Sequence, residues 1–205
     1  LFNPDLTGVD NFMIKYFLDY AKKVNDNFSC LGPRYENISE KTLKQSNIKD
    51  EMGFINAISG AAMFFNAKNF DSIGGFDENI FLYFDETDYC KRGKKLNLYS
   101  YQLNMIKISH DVGTAVEFTS QKEKKEIQKL YTWHFIWSKY YFYNKHYGAI
   151  ISLIFFFPII IRSIFKILIF KIFNNNEKLE KYQTRLNGLL NSILGKKSYK
   201  RIDQI

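Results

Sequence analysis

An α/β domain followed by a separate helical, basic segment is what this chain predicts, and three observations carry the prediction. Strand-length apolar runs alternate with helix-period segments over residues 1–120. The charge balance changes along the chain: residues 1–120 hold 13 Lys/Arg against 16 Asp/Glu, whereas residues 121–205 hold 16 against 5. The apolar residues also change character, from short runs broken by glycine to one long stretch at 149–173. With 205 residues, 46% of them apolar and 18% aromatic, the chain can build one domain with a real core plus an appended part, and is too apolar to stay disordered.

In chain order, "LFNPD" reads as the end of a buried strand, so the chain is expected to be the C-terminal part of something longer. "GVDNFMIKYFLDYAKKV", 8–24, carries Phe12, Ile14, Tyr16, Phe17, Tyr20 and Ala21 at roughly helical spacing and predicts a helix packed on a sheet. "SCLGPRY", 29–35, predicts a short strand that stops at Gly32-Pro33. Residues 36–52 are polar and predict a mobile loop. "FINAISGAAMFFNA", 54–67, predicts a buried strand leading into a short helix, 67–73, with "IGGFDEN" as a tight turn. The next helix starts on an acidic cluster, with Asp85 as N-cap, Lys91 and Arg92 in the last turn and Gly93 as its C-terminal stop. "NMIKIS", 104–109, predicts a strand with His110 at its C-terminal end, and residues 121–147 a long helix. Cys30 and Cys90 have no metal-type spacing and predict reduced thiols in a cytosolic setting.

The stretch 149–173 predicts a helix lying in a membrane interface, with a buried helix covering the α/β domain as the alternative. Its uninterrupted apolar run ends at Ile161, and Arg162 and Lys166 would each cost about 2.5–3.5 kcal/mol at a bilayer centre. Ser152, Arg162, Ser163 and Lys166 share one arc of the helical wheel, with Pro158 as a predicted kink. The excess of Lys/Arg beyond residue 120 points to an anionic membrane surface as partner. Nucleic acid is disfavoured, because no binding motif is present and the aromatics sit inside apolar runs.

Three weak signals bear on chemistry. The first is the carboxylate cluster Asp85, Glu86 and Asp88 at a helix start, where positive partial charge favours ionised acids able to accept a proton. Asp88 also stands four residues before Arg92, a spacing that can fix the helix. The second is Asn3-Pro4-Asp5 after a strand end, with oxygen ligands suited to Mg²⁺ or Mn²⁺. The third is His110, placed where ligands of α/β sheets gather. Taken singly, each reads as an ordinary cap, turn or core residue; their order along the chain is more specific than any one of them.

The ordered set "NPD", "SGAAMFFNAKNFDSIGGFDENIFLYFDETDYCKRGKKL" and "ISHDVG" resembles the C-terminal half of the family 2 inverting glycosyltransferases, in the branch of rhamnosyltransferases and bacterial polysaccharide glycosyltransferases. The resemblance covers about residues 1–118, and more loosely the "YYFYNKHYG" region and the apolar tail. It implies a GT-A (Rossmann-like) partial catalytic domain over 1–120, holding the metal and acceptor half, and a membrane-associating helical tail over 121–205. It implies a nucleotide-sugar donor, a Mg²⁺ or Mn²⁺ ion held by Asn3, Asp5 and His110, and a saccharide or lipid-linked acceptor at the cytoplasmic face of a bacterial inner membrane. Asp85-Glu86 stands in the place of the acidic pair whose second member is the catalytic base. That makes Glu86 the base, with Asp85 the other candidate because many relatives carry the pair as Glu-Asp. Asp88 joins the catalytic carboxylates. Ser59, Gly60 and Ala61 would border the sugar site, Phe81, Tyr83 and Phe84 would wall it, and Arg92 would meet substrate. The nucleotide-binding half of the family lies before the metal motif, so this chain alone is expected to be inactive. The competing expectation is a non-catalytic membrane-surface module on an α/β scaffold.

Overall fold

The computed structural model describes residues 1–39, 42–111, 118 and 120–201. The chain divides into two compact units, one of Leu1–Asp77 with Asp85–Glu117 and one of Glu78–Phe84 with Phe118–Ile205. The fold class is mixed α/β, and the sheet itself is mixed.

In the first unit the elements are β1 (Leu6–Thr7), α1 (Asn11–Lys23), β2 (Phe28–Tyr35), β3 (Met52–Ile55), β4 (Phe64–Phe65), α2 (Ala67–Ile73), α3 (Asp85–Lys95) and β5 (Tyr99–His110). The long β5 is the organising strand. It pairs in parallel with β2 along one edge. Along the other edge it takes β3 antiparallel near its start, Met52 opposite Leu103, and β1 antiparallel at its end, Leu6 opposite His110. β4 pairs antiparallel with β2. Buried residues of β2 face both ways: Leu31 joins Met13, Phe17 and Tyr20 of α1 in one core, and Cys30 joins Ile73, Tyr89 and Cys90 of α2 and α3 in another. Covered on both faces, β2 is buried at every position except the half-buried Arg34, and its buried Ser29 hydroxyl is paired with that of Ser100 at 2.7 Å.

Several local expectations are corrected. β2 does not stop at Gly32-Pro33. It runs on to Tyr35 through a register shift between Pro33 and Arg34, where the missing proline N–H is tolerated. Gly32 is needed there because a Cβ would stand 2.3 Å from Ile58 Cγ2. The expected strand over 54–67 is two short strands, β3 and β4, on different partners. The polar segment after Tyr35 is tied down where it is described: Gln45 pairs with the Tyr35 backbone at 2.8 and 3.0 Å, Ser46 N–H donates to Gln102 Oε1 at 2.7 Å, and Asn104 Nδ2 donates to the carbonyls of Asn47 and Asp50. α3 begins at Asp85 itself and passes through Gly93 to Lys95. Gly93 is a packing glycine, since a Cβ would lie 2.6 Å from Ser29 Cβ. Cys30 and Cys90 are free, buried thiols with sulfurs 3.5 Å apart.

The second unit holds three long helices, α4 (Gln121–Tyr147), α5 (Ala149–Ile172) and α6 (Asn176–Ile193). Ile136, Tyr140, Phe156 and Leu189 form its core. α5 is, among the described residues, one helix long and apolar enough to cross a membrane, and Pro158 lies inside it. The wheel reading of α5 is corrected. Ser152 and Ser163 are buried with Phe156 in the stripe that packs inward, each hydroxyl returned to the carbonyl four residues back, at 2.8 Å (Gly148) and 2.7 Å (Ile159). Apolar side chains such as Ile150, Ile154, Phe157 and Phe165 are exposed instead. α6 approaches α4 at Gly188, where a Cβ would stand 2.7 Å from the Trp133 carbonyl oxygen and 2.9 Å from Ile136 Cγ2. Gly188→Ala is therefore expected to cost roughly 1–3 kcal/mol by overpacking, although alanine is the better helix former. Thermal unfolding followed by circular dichroism measures it, and an unchanged or raised midpoint would refute the close approach.

Candidate functional site

Backbone pairing gathers the candidate residues of the first unit. The chain start runs beside residues 61–63: Leu1 and Met63 exchange N–H···O bonds at 2.9 Å, and the Asn3 N–H donates to the Ala61 carbonyl at 2.8 Å. Pro4 then turns the chain, and Asp5 lies against the end of β5, with the Asp111 N–H donating to its carbonyl at 3.0 Å. Asn37 clamps the same strand end, its Oδ1 accepting the His110 N–H at 2.9 Å and its Nδ2 donating to the His110 carbonyl at 3.0 Å.

This arrangement brings the Asp5 and His110 side chains together. His110 Nε2 stands 3.2 Å from Asp5 Oδ1, with the side chains 13% and 6% exposed. The contact lacks hydrogen-bond geometry, so Asp5 Oδ1 is a buried acceptor with no hydrogen-bond partner. A buried carboxylate oxygen left in that state is costly unless something else uses it. Beside the pair lies a residue that sequence reasoning missed. The Tyr35 ring centre is 6.2 Å from that of His110, and its buried hydroxyl also has no hydrogen-bond partner. Burial pushes that hydroxyl up to about 12, with the Ser59 side chain and the Ala62 backbone close by and acting in the opposite direction. A lone tyrosine closing a strand carries no sequence signal, because only the pairing of β2 with β5 sets it against His110.

An oxygen- and nitrogen-bearing pair with an unsatisfied oxygen is the donor chemistry a Mg²⁺ or Mn²⁺ ion accepts from protein when phosphate oxygens and water supply the remaining positions. Asp5 and His110 fit that role. Asn3 contributes its backbone to the Ala61 pairing and is itself exposed. No cluster of three or more His, Cys, Asp and Glu groups able to hold a metal occurs among the described residues.

The carboxylates of α3 divide into two roles. Glu86 lies beside the small-residue segment: a Cβ on Gly60 would sit 3.8 Å from Glu86 Cβ and 3.9 Å from Glu86 Oε2, in ordinary van der Waals contact. Burial, then hydrogen bonding to Asp85 and the nearness of its charge, push the Glu86 carboxyl up to about 8. This corrects the expectation that the helix N-terminus keeps Glu86 ionised, since desolvation outweighs the dipole. Asp88 is completely buried and belongs to the fold. Its Oδ2 accepts from Arg92 Nε at 2.7 Å, and Arg92 spends its other nitrogens on the carbonyls of Ile73 and Gly75, at 2.6 and 2.5 Å. Arg92 thus holds the Gly74-Gly75 turn, both glycines at positive φ, rather than a substrate.

Ser59, Gly60 and Ala61 link the two halves of the site. Ala61 receives Asn3, Gly60 lies beside Glu86, and Ser59 lies near Tyr35. Tyr83 and Phe84 belong to the second unit. Their rings pack on α4, Tyr83 edge-on to Phe135 at 5.6 Å and Phe84 against Phe142 at 5.6 Å. Phe81 likewise packs on His134, at 5.0 Å. Tyr83 and Phe84 have φ of 64° and 69°, a left-handed conformation that non-glycine residues adopt at a cost of about 1–2 kcal/mol each. The Val112-Gly113-Thr114 end of the histidine motif lies outside the described residues. Comparison with family models, with characterised proteins and with solved structures found no match for this chain.

Proposed function

We propose that this chain carries the acceptor and metal half of an inverting GT-A glycosyltransferase, acting on a nucleotide-sugar donor and a saccharide or lipid-linked acceptor at a bacterial membrane surface. The observation that carries the reading is the pairing of Asp5 with His110, one carboxylate oxygen left unsatisfied, next to a small-residue segment whose Gly60 lies beside Glu86.

The residues divide the work. Glu86, once deprotonated, takes the proton from the acceptor hydroxyl as that oxygen attacks the anomeric carbon on the face opposite the leaving group, so configuration inverts in one displacement. Gly60 leaves room beside the carboxylate for the acceptor sugar. Asp5 and His110 would hold the divalent ion, which when bound offsets the charge growing on the departing nucleoside diphosphate. Asn37 holds the His110 main chain in place, and the Tyr35 ring packs beside the imidazole. The exposed apolar side of α5, with Arg162, Lys166 and Lys171 on the same helix, meets anionic lipid and keeps the enzyme where lipid-linked acceptors are found.

Transfer from radiolabelled nucleoside-diphosphate sugars, assayed in membranes of the natural host, tests this reading. Activity is expected to vanish on chelation and return with Mn²⁺ or Mg²⁺. Asp5→Asn is expected to raise the metal concentration needed for half-maximal rate by about 10-fold or more. Transfer that is indifferent to chelator and to Asp5→Asn would overturn the metal assignment.

A further inference from the structure

Three helix ends meet at one end of the second unit. α4 and α6 run parallel, as Lys129 meets Glu180, Trp133 Nε1 donates to Asn187 at 2.8 Å and Ser192 donates to the Trp137 carbonyl at 2.9 Å. α5 runs antiparallel to both, with Phe156 against Tyr140 and Phe170 stacked on Tyr182. The N-termini of α4 and α6 therefore lie beside the C-terminus of α5. There a cleft of about 640 Å³ opens between α4 and α6, and Lys125, Lys129, Lys178 and Lys181 line it. Lys129 is committed to Glu126 and Glu180, at 2.6 and 2.5 Å, and so offsets one of those two acids. Glu177 also lines the cleft, so Lys125, Lys178 and Lys181 supply its positive excess. Lys125, Lys178 and Lys181 are exposed. Lys178 Nζ also lies 5.4 Å from the centre of the Phe170 ring, so the lysine-lined cleft borders directly on the apolar helix, whose Phe165, Leu168 and Ile172 are exposed.

We propose that this cleft binds the phosphate headgroup of an anionic membrane lipid, with the lipid's hydrocarbon against the exposed side of α5. Mobile lysine ammoniums suit a phosphate as point charges. Two helix N-termini add positive partial charge at the same end. A soluble anion would explain the lysines but not the apolar wall beside them. The inference rests on the membrane-surface part of the proposed function and is independent of sugar transfer.

Co-sedimentation of the 205-residue chain with phosphatidylcholine vesicles, with and without phosphatidylglycerol, tests it. The chain is expected to bind both, and the glycerol lipid to strengthen binding. Each basic residue near an anionic surface is worth about a fivefold change in partition. K125Q/K178Q/K181Q should therefore cost roughly tenfold or more of the phosphatidylglycerol-dependent increment, and K125R/K178R/K181R should restore it. K196Q/K197Q/K200Q removes the same charge beyond the C-terminus of α6 and should leave most of the increment. Equal losses from the two glutamine triples would reduce the effect to general electrostatics and overturn the cleft, as would an arginine triple that fails to rescue. Full competition by inorganic phosphate would overturn the lipid commitment. Failure of the unmodified chain to bind either vesicle would instead overturn the membrane reading itself.

Discussion

On the proposed function, replacing Glu86 by Gln in the full-length protein is expected to lower sugar transfer by roughly 10²–10⁴-fold, the range a positioned general base supplies, while the chain stays folded. Gln keeps the volume beside Gly60 and loses only the ability to take a proton. The reason to expect more than a lost charge lies in the raised pKa. A carboxyl pushed up to about 8 is protonated over much of the neutral range, so transfer should rise with pH and level off only above about 8. The same displacement has a stability consequence of definite sign. The folded state binds this proton more tightly than the unfolded chain does, so the stability it supports is complete below the unfolded value of 4.5 and is lost as pH rises through about 8. Glu86→Gln removes that penalty. Relative to the unmodified chain, the variant should gain stability between pH 5 and pH 8.5, by an amount of order 1 kcal/mol once coupling to Asp85 and relaxation are allowed for. Asp85→Asn separates the two candidates: as a neighbour, Asp85 should lower the apparent pKa of transfer when neutralised, whereas as the base it should abolish transfer. Normal transfer by Glu86→Gln would end the mechanism.

The long periodic elements were readable because their signals are local. α1, α2, α4 and α5 fall within a few residues of where periodicity and caps put them, and His110 closes its strand as expected. What failed were judgements in which a local rule met a tertiary demand. Gly93 carries a stop signal, but Ser29 and Ile73 crowd its position and the helix runs on. Gly32-Pro33 breaks strands in isolation, but β2 lies between β5 and β4 and absorbs the proline in a register shift. Ser152 and Ser163 read as the polar edge of an interfacial helix, but small hydroxyls bonded to their own helix suit its packed face. The candidate site divides the same way. Residue type and order picked out Asp5, His110 and Glu86. Tyr35 and Asn37, which surround His110, come from elements distant in sequence, and no pattern along the chain ties them to it. Asp88 and Arg92 carried the same chemical promise as Glu86, and only burial and hydrogen-bond partners mark those two as framework.

That separation predicts the largest stability effect in the first unit. Arg92→Met is expected to destabilise it by about 3–5 kcal/mol, because the change strips a fully buried carboxylate of its cation and leaves the Ile73 and Gly75 carbonyls without their donor. An exposed helical pair of the same spacing would contribute only about 0.3–0.5 kcal/mol. What raises the figure here is the position of Asp88, whose side chain is 0% exposed, so that its charge cannot fall back on water. The cost should be recoverable from the other side. Asp88→Leu combined with Arg92→Met removes the stranded charge, and urea unfolding should place the double variant well above Arg92→Met alone. A double variant no more stable than the single one would mean that the carbonyls of the Gly74-Gly75 turn, not the ion pair, hold α3 in place. In either case Glu86, nearly two turns from Arg92 and two residues from Asp88, sits on the helix that this framework holds. Arg92→Met is therefore expected to lower transfer even at temperatures where the chain remains folded, an effect a merely remote ion pair would not produce.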